Sequence, residues 1–342
     1  MRNPFWFQQL RLNLACHNMH TVTLARNAMA TRFEMVLQGS DPRMLQSAGE
    51  AALDEIERLE ARLSLYRPTS EIAHVNARAS RESVKVTPEV FRLLQQARNL
   101  SNETDGLFDI AIGPLVRCWG FMGGTGHMPD PLQVERARER AGMALVNLNP
   151  DDSTVTFTRE GVLLDLGAIG KGYALEQAAD ILRDCGVESA LIHGGTSTVY
   201  GLGHPADAAE WRVAIHEPRD SGQSESPALC SIGLVDSALS VSAVWGRSFQ
   251  EGKIHFGHVI DPRTGKPVTG VLIGAVAVKS ATESDAFSTA LLTGGASRFE
   301  RLTRLRPKMR AVLVTGTVKS WEVHTWHLDL PRSEGKAGAY SQ

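Results

Sequence analysis

Asp285 and Thr289, in the stretch ATESDAFSTALL, stand four residues apart and share one face of any helix that contains them. A carboxylate and a hydroxyl so placed offer hard oxygen donors to Mg²⁺, an ion that often bridges to substrate phosphate. The stretch has a competing use. Thr282 and Asp285 have the spacing of a capping box, in which the acid only bonds backbone N–H groups at a helix start. On spacing alone capping is the stronger of the two, because that motif is common.

A second stretch, LDLGAIGKGYA from Leu164 to Ala174, sets Asp165, Gly167, Gly170, Lys171 and Gly172 where an apolar run gives way to a helical pattern. Glycines allow close backbone approach, and a helix start presents free N–H groups to an anion. Lys171 adds a charge that suits a phosphate, although a solvated lysine on a tight turn is the plainer alternative. The spacing matches neither a Walker A loop nor the dinucleotide fingerprint. In HFGHVIDPRTGKPV, His258 precedes the turn residues Asp261-Pro262 on a short apolar strand, where a histidine is more often a satisfied core residue than a catalyst. In TDGLFDIAIGP, Asp105 and Asp109 flank an aromatic, and turn formation alone accounts for Asp105-Gly106.

These residues need elements to position them. AMATRFEMVLQ alternates, with Met29, Thr31, Phe33, Met35 and Leu37 on one face and Arg32, Glu34 and Gln38 on the other, which predicts a half-buried strand. Asp41-Pro42 and Thr87-Pro88 are helix starts. The first helix carries Leu45, Ala48, Ala52, Ile56, Leu59 and Leu63 at helical spacing. The second runs to about Leu100, and a third covers Leu132 to about Ala141. A hairpin is expected from Thr154–Thr158 and Val162–Leu166, turning at Arg159-Glu160-Gly161. After LDLGAIGKGYA, Leu175, Ala178, Ala179 and Leu182 form an amphipathic helix that ends at Gly186. SALIHGG, Trp211–His216, Val271–Val278 and Ala311–Thr315 read as strands, and Ser284–Thr293 as a helix. Strands and helices mix without regular βαβ alternation, which favours α+β or mixed α/β architecture.

Lys and Arg number 36 against 38 Asp and Glu, a balance that excludes a dedicated nucleic-acid binder. Cys16, Cys118, Cys185 and Cys230 are scattered, with no zinc spacing, and are expected as reduced thiols. No apolar run reaches the ~20 residues that cross a bilayer, so no transmembrane segment is expected. Pro4, Gln8, Gln9, Arg11 and Asn13 interrupt any signal-peptide core, so the chain as written is expected to be cytoplasmic. Residues 1–24 read as an N-terminal extension, 25–330 as a single domain and 331–342 as a disordered tail.

The segments MATRFEM, LSLYRPTSEIAHVN, TDGLFDIAIGPLVRCWGF, LDLGAIGKGYALEQAADIL, HVIDPRTGKPV and SDAFSTALL, taken in order, closely resemble the successive motifs of FAD:protein FMN transferases, the ApbE-type flavin transferases. The resemblance runs from about Met29 to Leu313. It implies a T-fold-like α+β architecture with antiparallel sheets and packed helices. It also implies an activity: FAD is cleaved with Mg²⁺ (Mn²⁺ as an alternative), and FMN passes through a phosphoester to a Thr or Ser of a partner flavoprotein, releasing AMP. Subunits of membrane redox complexes are implied as acceptors, and a periplasm-facing or membrane-associated location becomes the alternative to the cytoplasm.

By the same resemblance, Met29, Tyr66, Leu107, Phe108, Asp109, Asp165, Lys171 and Ile260 are expected to contact FAD. Asp285 and Thr289 are expected as metal ligands by side chain and Ala168 by its carbonyl, which reverses the preference for capping at Asp285. Asp285 and His258 are the catalytic candidates, His258 for handling a proton. Two places depart from the family pattern. Thr196-Ser197 stands where a Gly-Asp pair is frequent, and Ser242-Ala243 replaces Ser-Gly. Hydrolysis of FAD to FMN and AMP is the competing enzymatic expectation, and a non-catalytic flavin-binding module the competing non-enzymatic one.

Overall fold

The computed structural model describes residues 19–218, 226–252, 254–328 and 340–341. The expected absence of a signal peptide concerns residues outside these, as does the expected tail apart from 340–341. The sheet begins at His20, inside the segment assigned to the extension. Cys118, Cys185 and Cys230 are free thiols.

Among the described residues one large sheet orders its strands as His20–Ala28, Thr31–Gly39, Ser189–Gly194, Thr198–Leu202, Ser237–Ala243, Val271–Val278, Arg310–Thr317, Ser320–Trp326 and Tyr340–Ser341. All neighbours are antiparallel except the last pair. The helices Pro42–Leu63, Gly170–Asp184 and Ala281–Gly294 pack together and against strands of the sheet. Successive side chains of a strand point to opposite faces, and the two faces here feed two cores. Val276, Ala311 and Leu313 enter the helical core. Ala275, Ala277, Val312 and Val314 enter a second core, shared with the hairpin Trp211–His216/Ala228–Leu234. The result is the expected mixed α/β fold with antiparallel sheets and packed helices. Among the described residues, no helix is long and apolar enough to cross a membrane.

The helix starts are where the sequence puts them. Asp41 accepts from the N–H groups of Arg43 and Met44, and the expected apolar row of that helix is buried from Leu45 to Leu63. Four expectations need correction. The strand beginning at Thr31 is not half-buried: Glu34 and Gln38, expected on a wet face, are each 5% exposed. The sheet is covered on both sides, and Glu34 is paired there with Arg32 and His193. Met29 does not lie in that strand but in the two-residue turn Met29-Ala30, both in the left-handed region (φ 49° and 59°), as such hairpin turns require.

The hairpin at 154–166 does not form. Thr154–Phe157 pairs instead with Val146–Asn149 and with Val84–Lys85. Residues 162–166 run outside any strand because other groups take their backbone bonds. Asn76 receives the Leu164 N–H at 2.7 Å and donates to the Leu164 carbonyl at 2.9 Å. The Asp165 N–H donates to Ile110, and the Leu163 carbonyl accepts from Gly113. His258, expected on a strand, lies in a bend just after Ile254–Gly257.

Candidate functional site

Two helix starts meet at Gly172. The Gly172 N–H donates to Asp285 Oδ2 at 3.0 Å, and a Cβ at this glycine would stand 2.2 Å from the Ala281 carbonyl oxygen. Only glycine lets the helices approach this far. Asp285 is 4% exposed and does not cap its own helix. Ser280 caps it by accepting from the Glu283 N–H, and Glu176 accepts from the Ser280 hydroxyl and from the N–H and hydroxyl of Thr282. Asp285 therefore does not cap its own helix; the N–H it accepts from belongs to the first turn of the neighbouring helix Gly170–Asp184.

Gly172 is the third residue of its helix, where a backbone N–H has no partner within the helix itself. Here it goes to Asp285, while the Leu166 carbonyl takes both Ile169 and Gly170. Among the described residues no backbone N–H is bonded to the Ala168 carbonyl. Among the described residues Asp285 Oδ2 accepts from Gly172, and Ala168 lies four residues before that glycine. Thr289, one turn beyond Asp285, has its hydroxyl 3.1 Å from that of Ser242.

Around the preceding turn, Asp165 Oδ1 accepts from the Gly167 N–H at 2.9 Å and Lys171 Nζ donates to the Gly167 carbonyl at 3.0 Å. Burial pushes the Asp165 carboxyl above the usual range, against the Gly167 bond and the charges of Lys171 and Arg247. The same two cations face His258, and burial first, then their charge, holds its imidazole below the usual range. His258 Nδ1 lies 3.3 Å from the Arg247 carbonyl. A carbonyl only accepts, so Nδ1 carries the proton and Nε2 is left as the base.

The other expected contacts differ in kind. Ile260 is buried among Leu115, Trp119 and Phe121, with Phe249 and Phe256 against them. Leu107 and Phe108 have their side chains in the helical core. Asp109 is occupied structurally: it accepts from the N–H groups of Ala111 and Met143 and from the Ser101 hydroxyl, and burial raises its carboxyl. A cleft of about 570 Å³ is lined by Arg98, Asp105, Asp109 and Met143 among others, and reaches none of the other expected residues. Tyr66 is 59% exposed. Neither it nor Met29 is bonded to the Asp165, Lys171 and Asp285 groups. Sequence reasoning missed Asn76, Glu176, Arg247 and Ser242 as parts of this assembly. Each acts across more than ten residues of chain, so local spacing carried no sign of them; Gly172, third in its helix, was the visible clue to close approach.

The model of the ApbE family matches residues 29–313 of this chain. The chain belongs to the ApbE family. Among its relatives, the FAD:protein FMN transferase of Vibrio cholerae is 28% identical over 263 residues, 76% of each chain. That of Klebsiella pneumoniae is 32% identical over 268 residues, 76% of this chain and 79% of the other. The crystal structure of the ApbE protein of Thermotoga maritima superposes with a TM-score of 0.78 at 26% identity, covering 87% of this chain and 96% of that one.

Proposed function

We propose that this protein is an FAD:protein FMN transferase, the activity its curated relatives are named for. The observation that carries the site is the Gly172–Asp285 bond, which joins the glycine-rich turn to the carboxylate helix.

A divalent cation fits the donor set. One carboxylate, one hydroxyl and one carbonyl are all hard oxygens, as Mg²⁺ requires, and leave room for water and phosphate ligands. Among the described residues no cluster of three His, Cys, Asp or Glu side chains competes for a metal. Asp285, Thr289 and Ala168 would hold the ion, which when bound stabilises charge developing on the diphosphate.

The chain's own residues do the rest. Lys171, with Arg247 beside it, favours the anionic diphosphate over a neutral ligand, and Ile260 with its aromatic neighbours offers an apolar wall to a flat ring. His258 Nε2 receives the proton of an acceptor Thr or Ser hydroxyl as its oxygen bonds to the phosphorus on the FMN side. The bond to the AMP phosphate breaks, AMP leaves with the electron pair, and FMN remains on the acceptor as a phosphoester. The acceptor class we propose is a flavoprotein subunit of a membrane redox complex, which follows from the sequence resemblance alone.

The test is incubation of the protein with FAD, Mg²⁺ and such a subunit. One AMP per covalently attached FMN is expected. Free FMN appearing at the same rate with and without acceptor would replace this function by hydrolysis.

A further inference from the structure

We propose that Ser242 is a positioning residue that turns the Thr289 hydroxyl so that its lone pairs, and not its proton, face a divalent cation. This rests on the metal role assigned above to Asp285 and Thr289.

The direction follows from counting protons. Ser288 Oγ lies 2.9 Å from the Asp285 backbone carbonyl, and a carbonyl can only accept, so Ser288 commits its single proton there. Ser242 Oγ is 2.8 Å from Ser288 Oγ and must therefore donate to it. That leaves Ser242 without a proton for Thr289, 3.1 Å away, so Thr289 donates to Ser242. The chain of bonds runs one way, from Thr289 through Ser242 and Ser288 to the main chain of Asp285. Such chains polarise and reinforce one another. A hydroxyl that binds a cation must send its proton elsewhere, and this relay gives it a fixed destination.

The relay is held rigidly. Ser242 lies on the strand Ser237–Ala243, paired opposite Gly274. A Cβ at Gly274 would stand 2.8 Å from the Ser288 carbonyl oxygen and 2.8 Å from the Leu292 nitrogen, so sheet and helix touch backbone to backbone here. Ser242 is also the residue kept where the sequence otherwise departs from the family run.

The test measures Mn²⁺ binding to the purified full chain by electron paramagnetic resonance, without acceptor, alongside AMP release at varied Mg²⁺. Ser242→Ala is expected to weaken Mn²⁺ binding about 10-fold to 100-fold, the range for residues that orient metal ligands. Its kcat should recover at saturating Mg²⁺, and Ser242→Thr should restore affinity. Ser288→Ala leaves Ser242 in place but frees its proton to turn on Thr289, so it should weaken binding too; a packing role for Ser242 predicts no such effect. Wild-type Mn²⁺ affinity in Ser242→Ala or Ser288→Ala, while Asp285→Asn is weakened, overturns the relay and leaves the metal assignment standing. Wild-type affinity in Asp285→Asn removes both.

Discussion

Asn76 binds both backbone groups of Leu164 across 88 residues of chain, doing with one side-chain amide what a neighbouring strand would otherwise do. The residue it fixes is the one before Asp165, whose own N–H is held by Ile110. Replacing Asn76 with Ala leaves two buried backbone groups of Leu164 unpaired, at about 1–3 kcal/mol for each such group. Urea denaturation should show a loss of that order. The KM for FAD should also rise, because Asp165 and the turn after it lose their anchor; an unchanged KM would separate this anchor from the ligand site.

Gly172→Ala should be more damaging to activity than its single added methyl suggests. The methyl would meet the Ala281 carbonyl oxygen, which is backbone and cannot rotate away. Overpacking of this kind costs about 1–3 kcal/mol, and it pushes apart the two helix starts that carry the donors. Thermal melts and AMP release measured together check this. Full activity with a lowered melting temperature would contradict it.

Asp285→Ala should abolish AMP release while leaving measurable FAD binding, since Lys171, Ile260 and the aromatic cluster are untouched. Flavin fluorescence titration and product assay together decide it. Turnover at the wild-type level would show that Asp285 holds no catalytic ion.

His258 sets a pH prediction. Its imidazole ordinarily titrates near 6.5, and burial with the charges of Arg247 and Lys171 moves it down. Nε2 is therefore free at neutral pH, and the acid limb of kcat should lie below that ordinary value. The stability linkage has the same sign. Above the ordinary range His258 is neutral folded or unfolded; as pH falls through it, the unfolded chain takes the proton first, and folded stability declines. His258→Gln should remove the acid limb and lower kcat, while Arg247→Ala should move the limb upward. A limb that stays put in Arg247→Ala would disprove the electrostatic link.

Local signals in the sequence were sufficient where the structure is local. Asp41-Pro42 starts a helix through the Asp41 cap and the proline ring, and Thr87-Pro88 through the proline alone, Thr87 making no side-chain cap. The strands at Ser189, Trp211 and Val271 were visible from their apolar content. What failed was pairing. The 154–166 hairpin looked sound until a distant Asn76 took one arm's hydrogen bonds, and Glu34 looked solvent-facing until a second layer covered it. The same division holds at the site. Thr282-x-x-Asp285 has capping spacing, yet Ser280 and Glu176 do that work, and Asp285 accepts instead from Gly172 at the start of another helix. The role proposed for it comes only from resemblance to a family, and the bond that holds it spans 113 residues.

The order of strands in the large sheet has a consequence for synthesis. Thr31–Gly39 waits for Ser189–Gly194 before it gains its second neighbour, and the helix carrying Asp285 and Thr289 emerges only after the strand Val271–Val278 against which it lies. A growing polypeptide therefore holds the glycine-rich turn long before it owns the Asp285 carboxylate that joins it. A chain that ends short of Ala281 has the glycine-rich turn but lacks the carboxylate that bonds Gly172.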